Sequence, residues 1–373
     1  MPSPADPGAA SNLVWLSSLS PWPEQFGLER MQALLAELGH PERAFRLIHV
    51  VGTNGKTTTT KLIEALLVRE GVSAGATISP HVRGWSERIS VNGAEADIER
   101  ALGRVRVAAV SAGATQFEVI TAAAFSEFAA AAVEVAAVEA GLGGRFDATN
   151  VLASPVVVLT NVALEHTQWL GSTREAIARE KLAVVAPGAA VVLGEEEWEP
   201  LAREAGAGSV TVVSPSELPQ RAVGLLLGRA LIAGPVELRI PGRFEWRSER
   251  ELWDGAHNPA GIAWLVERLP QDRARWTVVC SILADKDATS MLRSLATVSN
   301  TLVTTGSSNP RALPAAELAA RAQGLFETIE AVEDPVLALA RARDLAAPNG
   351  YLLATGSLYF LADLASREEA VHR

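Results

Sequence analysis

Residues 45–70 restrict this chain more than any other stretch. Residues 45–51 form an apolar, β-branched-rich run that reads as a strand. It stops at Gly52-Thr53-Asn54-Gly55, and a helix is predicted over 56–70, with Leu62, Ala65, Leu66 and Arg69 at helical spacing and Gly71 as its stop. The pattern of apolar strand, turn and amphipathic helix then recurs. Further strands are predicted at 132–139, 155–161 and 189–193, and Ser172-Thr173-Arg174-Glu175 reads as a capping box opening a helix that carries Ile177, Lys181 and Val184. Near-continuous apolar strands alternating with helices imply a parallel sheet covered on both faces.

A second βα series begins near Glu249, with strands predicted at 251–253, 276–282, 301–305 and 351–354. The polar, charged and punctuated stretch before it holds the interdomain linker, placed at 244–250. The organisation expected is a tail over 1–14, a first domain over 15–243 and a second over 251–373. Residues 195–234 are the least readable. A length of 373 residues suits two such domains, and their meeting at a linker implies a ligand cleft.

Composition narrows the partners. A formal charge of −10 argues against a non-specific nucleic-acid binder, which needs an excess of Lys and Arg to neutralise phosphates. The single cysteine, Cys280, excludes an intrachain disulfide and any Cys-based zinc cluster and fits a reducing compartment. The first basic residue is Arg30, so no positively charged signal region opens the chain. The apolar run at 128–133 is far short of the roughly 20 residues that span a bilayer. A soluble, cytoplasmic protein with no membrane partner is expected.

The glycine loop has the ingredients of a phosphate cradle. Glycines let backbone N–H groups turn onto a phosphate, the helix N-terminus adds positive potential, and Lys56 can reach the outer oxygens. Thr57 and Thr58 can hydrogen-bond phosphate or approach a metal. The strict Walker spacing needs a glycine where Val50 stands, and a plain glycine turn capped by threonines is the competing reading. A nucleoside triphosphate site is favoured.

Glu139 ends an apolar strand just before the glycine-rich stretch 141–144. Strand C-termini line the ligand crevice of a parallel sheet, and a carboxylate there can hold Mg²⁺ against phosphates. His166 follows the next strand and suits either a metal site or a helix N-cap. Lys181 is flanked by Arg179 and Glu180, which favours a solvated helix lysine. Ser79-Pro80-His81 reads as a proline turn. In the second series, Asp254 can bind ribose hydroxyls and His257 can face phosphates, although Asp-Gly and Asn-Pro are also ordinary turn pairs.

These stretches in this order resemble the Mur ligase superfamily, and within it the bacterial dihydrofolate synthase/folylpolyglutamate synthase branch. The matching segments are GTNGKTTT at 52–59, SPHVRGWSERISVNG at 79–93, TQFEVITAAAF at 115–125, EAGLGGRFDATN at 139–150, NVALEHTQWLGST at 161–173, AREK at 178–181, PGRFE at 241–245 and DGAHNP at 254–259. The resemblance implies a phosphate-loop-containing, Mur-ligase-like α/β domain, with a mostly parallel sheet and helices on both faces, and a smaller Rossmann-like C-terminal α/β domain. It implies a monomeric, ATP- and Mg²⁺-dependent ligase, with two magnesium ions, that adds L-glutamate to dihydropteroate or reduced folates through an acyl phosphate. By the same resemblance Thr53, Asn54, Gly55, Lys56, Thr57 and Thr58 hold the triphosphate, and Ser79, Glu139 and His166 bind magnesium. Lys181 matches a lysine that the family carbamylates. Arg243 and Asp254 match nucleotide contacts, with the catalytic histidine His257 beside them, and Phe146, Asp147 and Ala148 match the pterin-side loop. Thr57 stands where this branch usually has glycine, as in the peptidoglycan-building Mur ligases, which makes a ligase for a peptidoglycan precursor the alternative. The HQxxNA segment that usually precedes the linker has no counterpart in this chain.

Overall fold

The computed structural model describes residues 11–346 and 350–371. The chain divides into two units, residues 1–79 with 85–238, and residues 80–84 with 239–373.

The first unit is built on eight strands: β1 (Arg46–Val51), β2 (Ala74–Thr77), β3 (Ile89–Val91), β4 (Ala94–Glu95), β5 (Val135–Glu139), β6 (Ser154–Leu159), β7 (Val185–Leu193) and β8 (Ser209–Val212). Their order is β4-β3-β2-β5-β1-β6-β7-β8, parallel from β2 to β8. At one edge β3 and β4 run antiparallel, joined by Asn92 and Gly93 at φ 51° and 81°. Two left-handed residues in a two-residue turn match the right-handed twist of the paired strands.

Central strand β1 is buried from Leu47 to Val51, and its side chains alternate between the sheet's faces. Ile48 and Val50 join one apolar cluster with α3 (Lys56–Arg69) and α9 (Leu218–Leu227). Leu47 and Val51 point to the other face. Leu47 packs in a cluster holding residues of α1 (Asn12–Ser18), α2 (Glu29–Glu37), α4 (Ile98–Ser111) and α5 (Gln116–Ala130). Val51 belongs to a neighbouring cluster with α7 (Arg174–Leu182) and α8 (Glu199–Glu204). The short α6 (Thr167–Leu170) precedes α7. Helices therefore cover both faces, as expected.

The second unit carries β9 (Glu245–Trp246), β10 (Glu251–Asp254), β11 (Trp276–Cys280), β12 (Thr301–Thr304), β13 (Thr328–Ala331) and β14 (Tyr351–Thr355) in the order β13-β12-β11-β14-β10-β9. All neighbours are parallel except β9 with β10. Its helices are α10 (Pro259–Val266), α11 (Ala288–Leu295), α12 (Ala315–Ala322), α13 (Pro335–Leu345) and α14 (Leu358–Val371). Val278, Cys280 and Leu353 face one apolar cluster, and Val279, Leu352 and Ala354 the other.

Three expectations need correction. The tail over 1–14 is helical from Asn12, because Ser11 caps α1 and the Glu99 carboxylate accepts from the N–H groups of Asn12 and Leu13; residues 1–10 lie outside the described residues. The linker over 244–250 contains β9, whose Trp246 packs against Phe244, Trp276 and Tyr351. The cap of α7 is Thr173 rather than Ser172, accepting from the N–H of Ala176. Among the described residues no helix is long and apolar enough to cross a membrane.

Candidate nucleotide and metal site

The glycine loop leaves β1 and enters α3 under close steric control. Gly52 has φ 148°, and an added Cβ there would overlap the Thr160 hydroxyl. Gly55, the N-cap of α3, has φ 80°, the left-handed region that glycine enters at little cost. The chain after β6 braces the loop from the side. Thr160 Oγ1 donates to Asn54 O at 2.7 Å, Asn161 Oδ1 accepts from Asn54 N at 2.9 Å, and Thr53 Oγ1 accepts from Ala163 N at 3.1 Å. Lys56 Nζ folds back to donate to Thr53 O at 3.2 Å. Thr57 and Thr58 lie in the first turn of α3, where the positive end of the helix and the absence of acidic residues favour an anion.

Thr57 is tied to the next strand. Its hydroxyl donates to Glu139 Oε1 at 3.1 Å, and the backbone N–H of Ser79 donates to Glu139 Oε2 at 3.2 Å. The loop hydroxyl, the buried carboxylate ending β5 and Ser79 are thus brought together. This donor set suits Mg²⁺, which takes oxygen ligands and is held in phosphate-loop enzymes by the loop Ser or Thr and a carboxylate. His166 sits at φ 51° as the N-cap of α6, with Nε2 3.7 Å from Glu165 Oε1. Among the described residues no three His, Cys, Asp or Glu side chains converge as a metal centre. The fit therefore rests on Glu139, the Thr57 hydroxyl and the adjoining Ser79.

Lys181 corrects the solvated-helix reading. It is buried on α7, and its Nζ donates to Gly52 O at 2.7 Å. Burial and the nearby Lys56 charge push its pKa down to about 7, against the pull of Glu165 and Asp147.

Of the three residues of the pterin-side loop, Phe146 is half exposed while Asp147 and Ala148 are buried. Asp147 accepts from Leu142 N at 2.7 Å, from Thr149 N at 3.0 Å and from Thr149 Oγ1 at 2.5 Å. Burial raises its pKa despite these donors and that of Gly141. Gly144 has no room for a side chain, since a Cβ would lie 2.6 Å from the carbonyl oxygens of both Glu180 and Lys181.

In the second unit Asp254 knits two motifs together. Its carboxylate accepts from Phe244 N at 2.7 Å and Ala256 N at 2.9 Å, and burial raises its pKa while Arg243 and His257 oppose the rise. His257 Nδ1 lies 2.8 Å from Gly255 O, and Asn258 caps α10. Arg243 Nη1 donates to Gly242 O at 3.3 Å. The sequence did not single out Ser281 and Thr355, whose buried hydroxyls at the ends of β11 and β14 have no hydrogen-bond partner among the described residues.

Residues 50–218 match the Mur ligase middle domain, and residues 242–358 match the Mur ligase, glutamate ligase domain. The dihydrofolate synthase/folylpolyglutamate synthase of Bacillus subtilis is 30% identical, over 91% of this chain and 94% of its own. This chain belongs to the dihydrofolate synthase/folylpolyglutamate synthase family. The Escherichia coli family member is 32% identical over 92% of each chain. The structure of E. coli FolC in complex with DHPP and ADP superposes with a TM-score of 0.86 at 26% identity, covering 98% of this chain and 99% of that one. The family structure from Yersinia pestis with Mn, AMPPNP and L-glutamate bound gives 0.85 at 27% identity, covering 98% of each chain.

Proposed function

We propose that this chain is an ATP-dependent, divalent-metal-dependent ligase that adds L-glutamate to dihydropteroate, to reduced folyl(poly)glutamates, or to both. The observation that carries the reading is the convergence on one glycine loop of Lys56, the Thr57–Glu139 pair and buried Lys181. A carboxylate is a poor electrophile at neutral pH, so it first attacks the γ-phosphorus of ATP to give an acyl phosphate and ADP. The glutamate amine then attacks the acyl carbon and phosphate leaves.

Thr53, Asn54 and Gly55 of the loop, with Thr57 and Thr58, would orient the triphosphate, and Lys56 would offset charge on the phosphoryl group in flight. Thr57, Ser79, Glu139 and His166 would hold up to two magnesium ions, which supply further charge neutralisation there. Lys181, half neutral near pH 7, is poised to react with CO₂; the resulting carbamate would be a carboxylate-like oxygen ligand. Phe146 offers an exposed ring for the pterin side, with Asp147 and Ala148 shaping the loop beneath it. Arg243, Asp254 and His257 are assigned to the nucleotide on the family resemblance. The active form would be a cytoplasmic monomer.

Incubation with ATP, Mg²⁺, L-glutamate and dihydropteroate or a reduced folate should yield ADP and a product one glutamyl residue heavier by mass spectrometry, and EDTA should abolish it. Absence of product from every pteridine, with turnover of a UDP-linked peptidoglycan precursor, would overturn the assignment.

A further inference from the structure

The central strand carries one polar side chain that the proposed chemistry leaves unused. His49 has no exposure, stands between Val138 and Val157 of the flanking strands, and faces the same side of the sheet as Leu47 and Val51. Its Nε2 lies 2.8 Å from Thr149 Oγ1. The Thr149 hydroxyl has one proton and donates it to Asp147, so it must accept from His49, which fixes the tautomer as Nε2–H. Nδ1 is then the bare nitrogen, and it is the ring atom with no partner among the described residues. Asp147 in turn gathers the amides of Gly141, Leu142 and Thr149. One hydrogen-bonded chain therefore runs from the strand that launches the phosphate loop to both ends of the 141–149 loop. A phenylalanine would fill this buried position at no polar cost, whereas a histidine with an orphaned lone pair costs free energy that some other role must justify.

We propose that His49 is a positioning residue: through the Thr149 hydroxyl it orients Asp147 and so holds the 141–149 loop in the shape that receives the pteroyl end of the acid substrate. The substrate half of this statement rests on the pterin-side reading of Phe146, Asp147 and Ala148. The relay itself stands on the hydrogen bonds alone. Burial holds the His49 pKa down at about 4, so the relay keeps one protonation state through the neutral range.

The test uses the full chain as His49→Phe, which fills the space without a donor, and His49→Gln, which returns an N–H near the Nε2 position. Thr149→Val and the double variant His49→Phe/Thr149→Val complete the set. KM for the pteridine substrate should rise at least tenfold in His49→Phe and Thr149→Val, with KM for ATP within twofold of the parent. The Gln variant should recover to within threefold, and the double variant should be no worse than either single one, because both cut the same chain. Amide hydrogen exchange at Leu142 and Thr149 in the ligand-free protein should quicken at least tenfold in His49→Phe but not in His49→Gln. Faster exchange with an unchanged pteridine KM would overturn the substrate assignment of the loop. Unchanged exchange in His49→Phe, or equal losses in the Phe and Gln variants, would overturn the role of His49. Should His49→Phe fail to fold, Thr149→Ser against Thr149→Val asks the same question, since they differ in the hydroxyl: Ser should behave as the parent, and equal defects in both would refute the relay.

Discussion

Replacing Lys181 with methionine tests the electrostatics of the phosphate-loop site while keeping the volume of the side chain. In the folded protein the lysine is buried, and its pKa falls from 10.5 to about 7, chiefly through burial and then through Lys56. The charged form is the one penalised. Below about pH 7 folded and unfolded chains both bind the proton, and the folded state bears the whole cost. Between about pH 7 and 10.5 the unfolded chain binds a proton that the folded chain has released, so stability rises with pH across this window. The gap corresponds to about 5 kcal/mol in full, of which about 2 kcal/mol is regained between pH 7 and pH 9. Methionine has no proton to release, so Lys181→Met lacks this gain. Urea unfolding of both proteins at pH 7, 8 and 9, in CO₂-depleted buffer without nucleotide, should show the parent gaining about 2 kcal/mol on the variant. Parallel pH dependences would refute the argument, because they would mean that the folded amine titrates as an ordinary lysine. The same depression leaves about half of the amine neutral at pH 7, against about three in ten thousand for an unperturbed lysine. Reaction with CO₂ requires the neutral amine.

Three further outcomes follow from the same geometry. Lys181→Ala should lower kcat by about a hundredfold, and short carboxylic acids should restore part of it; undiminished turnover would rule out the carbamate role. Thr57→Val removes the hydroxyl donor to Glu139 and should raise KM for the metal–ATP complex about tenfold, measured by ADP release. Gly144→Ala pushes a methyl group into the carbonyls of Glu180 and Lys181, so denaturant unfolding should show a loss of about 2 kcal/mol, together with impaired turnover.

The strands that built the two sheets were legible because burial on both faces writes them as near-continuous apolar runs, as in β1, β5 and β6. The short edge pair around Asn92-Gly93 carries a two-residue hairpin signal, but its strands hold only three and two residues, too few for an alternating pattern to show. Capping was misplaced for a related reason. The pattern at 172–175 matches a capping box, but the reciprocal box forms at Thr115 and Glu118, at the head of a helix whose apolar body masks the signal of its first turn. Lys181 looked solvated because Arg179 and Glu180 flank it. On a helix, successive side chains point about 100° apart. Arg179 accordingly reaches out to Glu175 and Glu204, while Lys181 turns inward to Gly52. The brace formed by Thr160, Asn161 and Ala163 on the phosphate loop, and the His49–Thr149 contact, join residues about a hundred positions apart. No local pattern announces such pairs.

Cys280 closes β11 in the second unit with no solvent exposure, and burial pushes its thiol pKa up to about 12. Its reactive thiolate is therefore almost absent while that sheet is intact. As the chain's one sulfhydryl, it is a built-in clock: the rate at which a maleimide or disulfide reagent labels it counts the excursions in which the second unit comes apart. The first unit, having no thiol, stays silent in that measurement. Labelling with and without nucleotide would then report whether a ligand steadies the second unit, without adding a probe to the molecule.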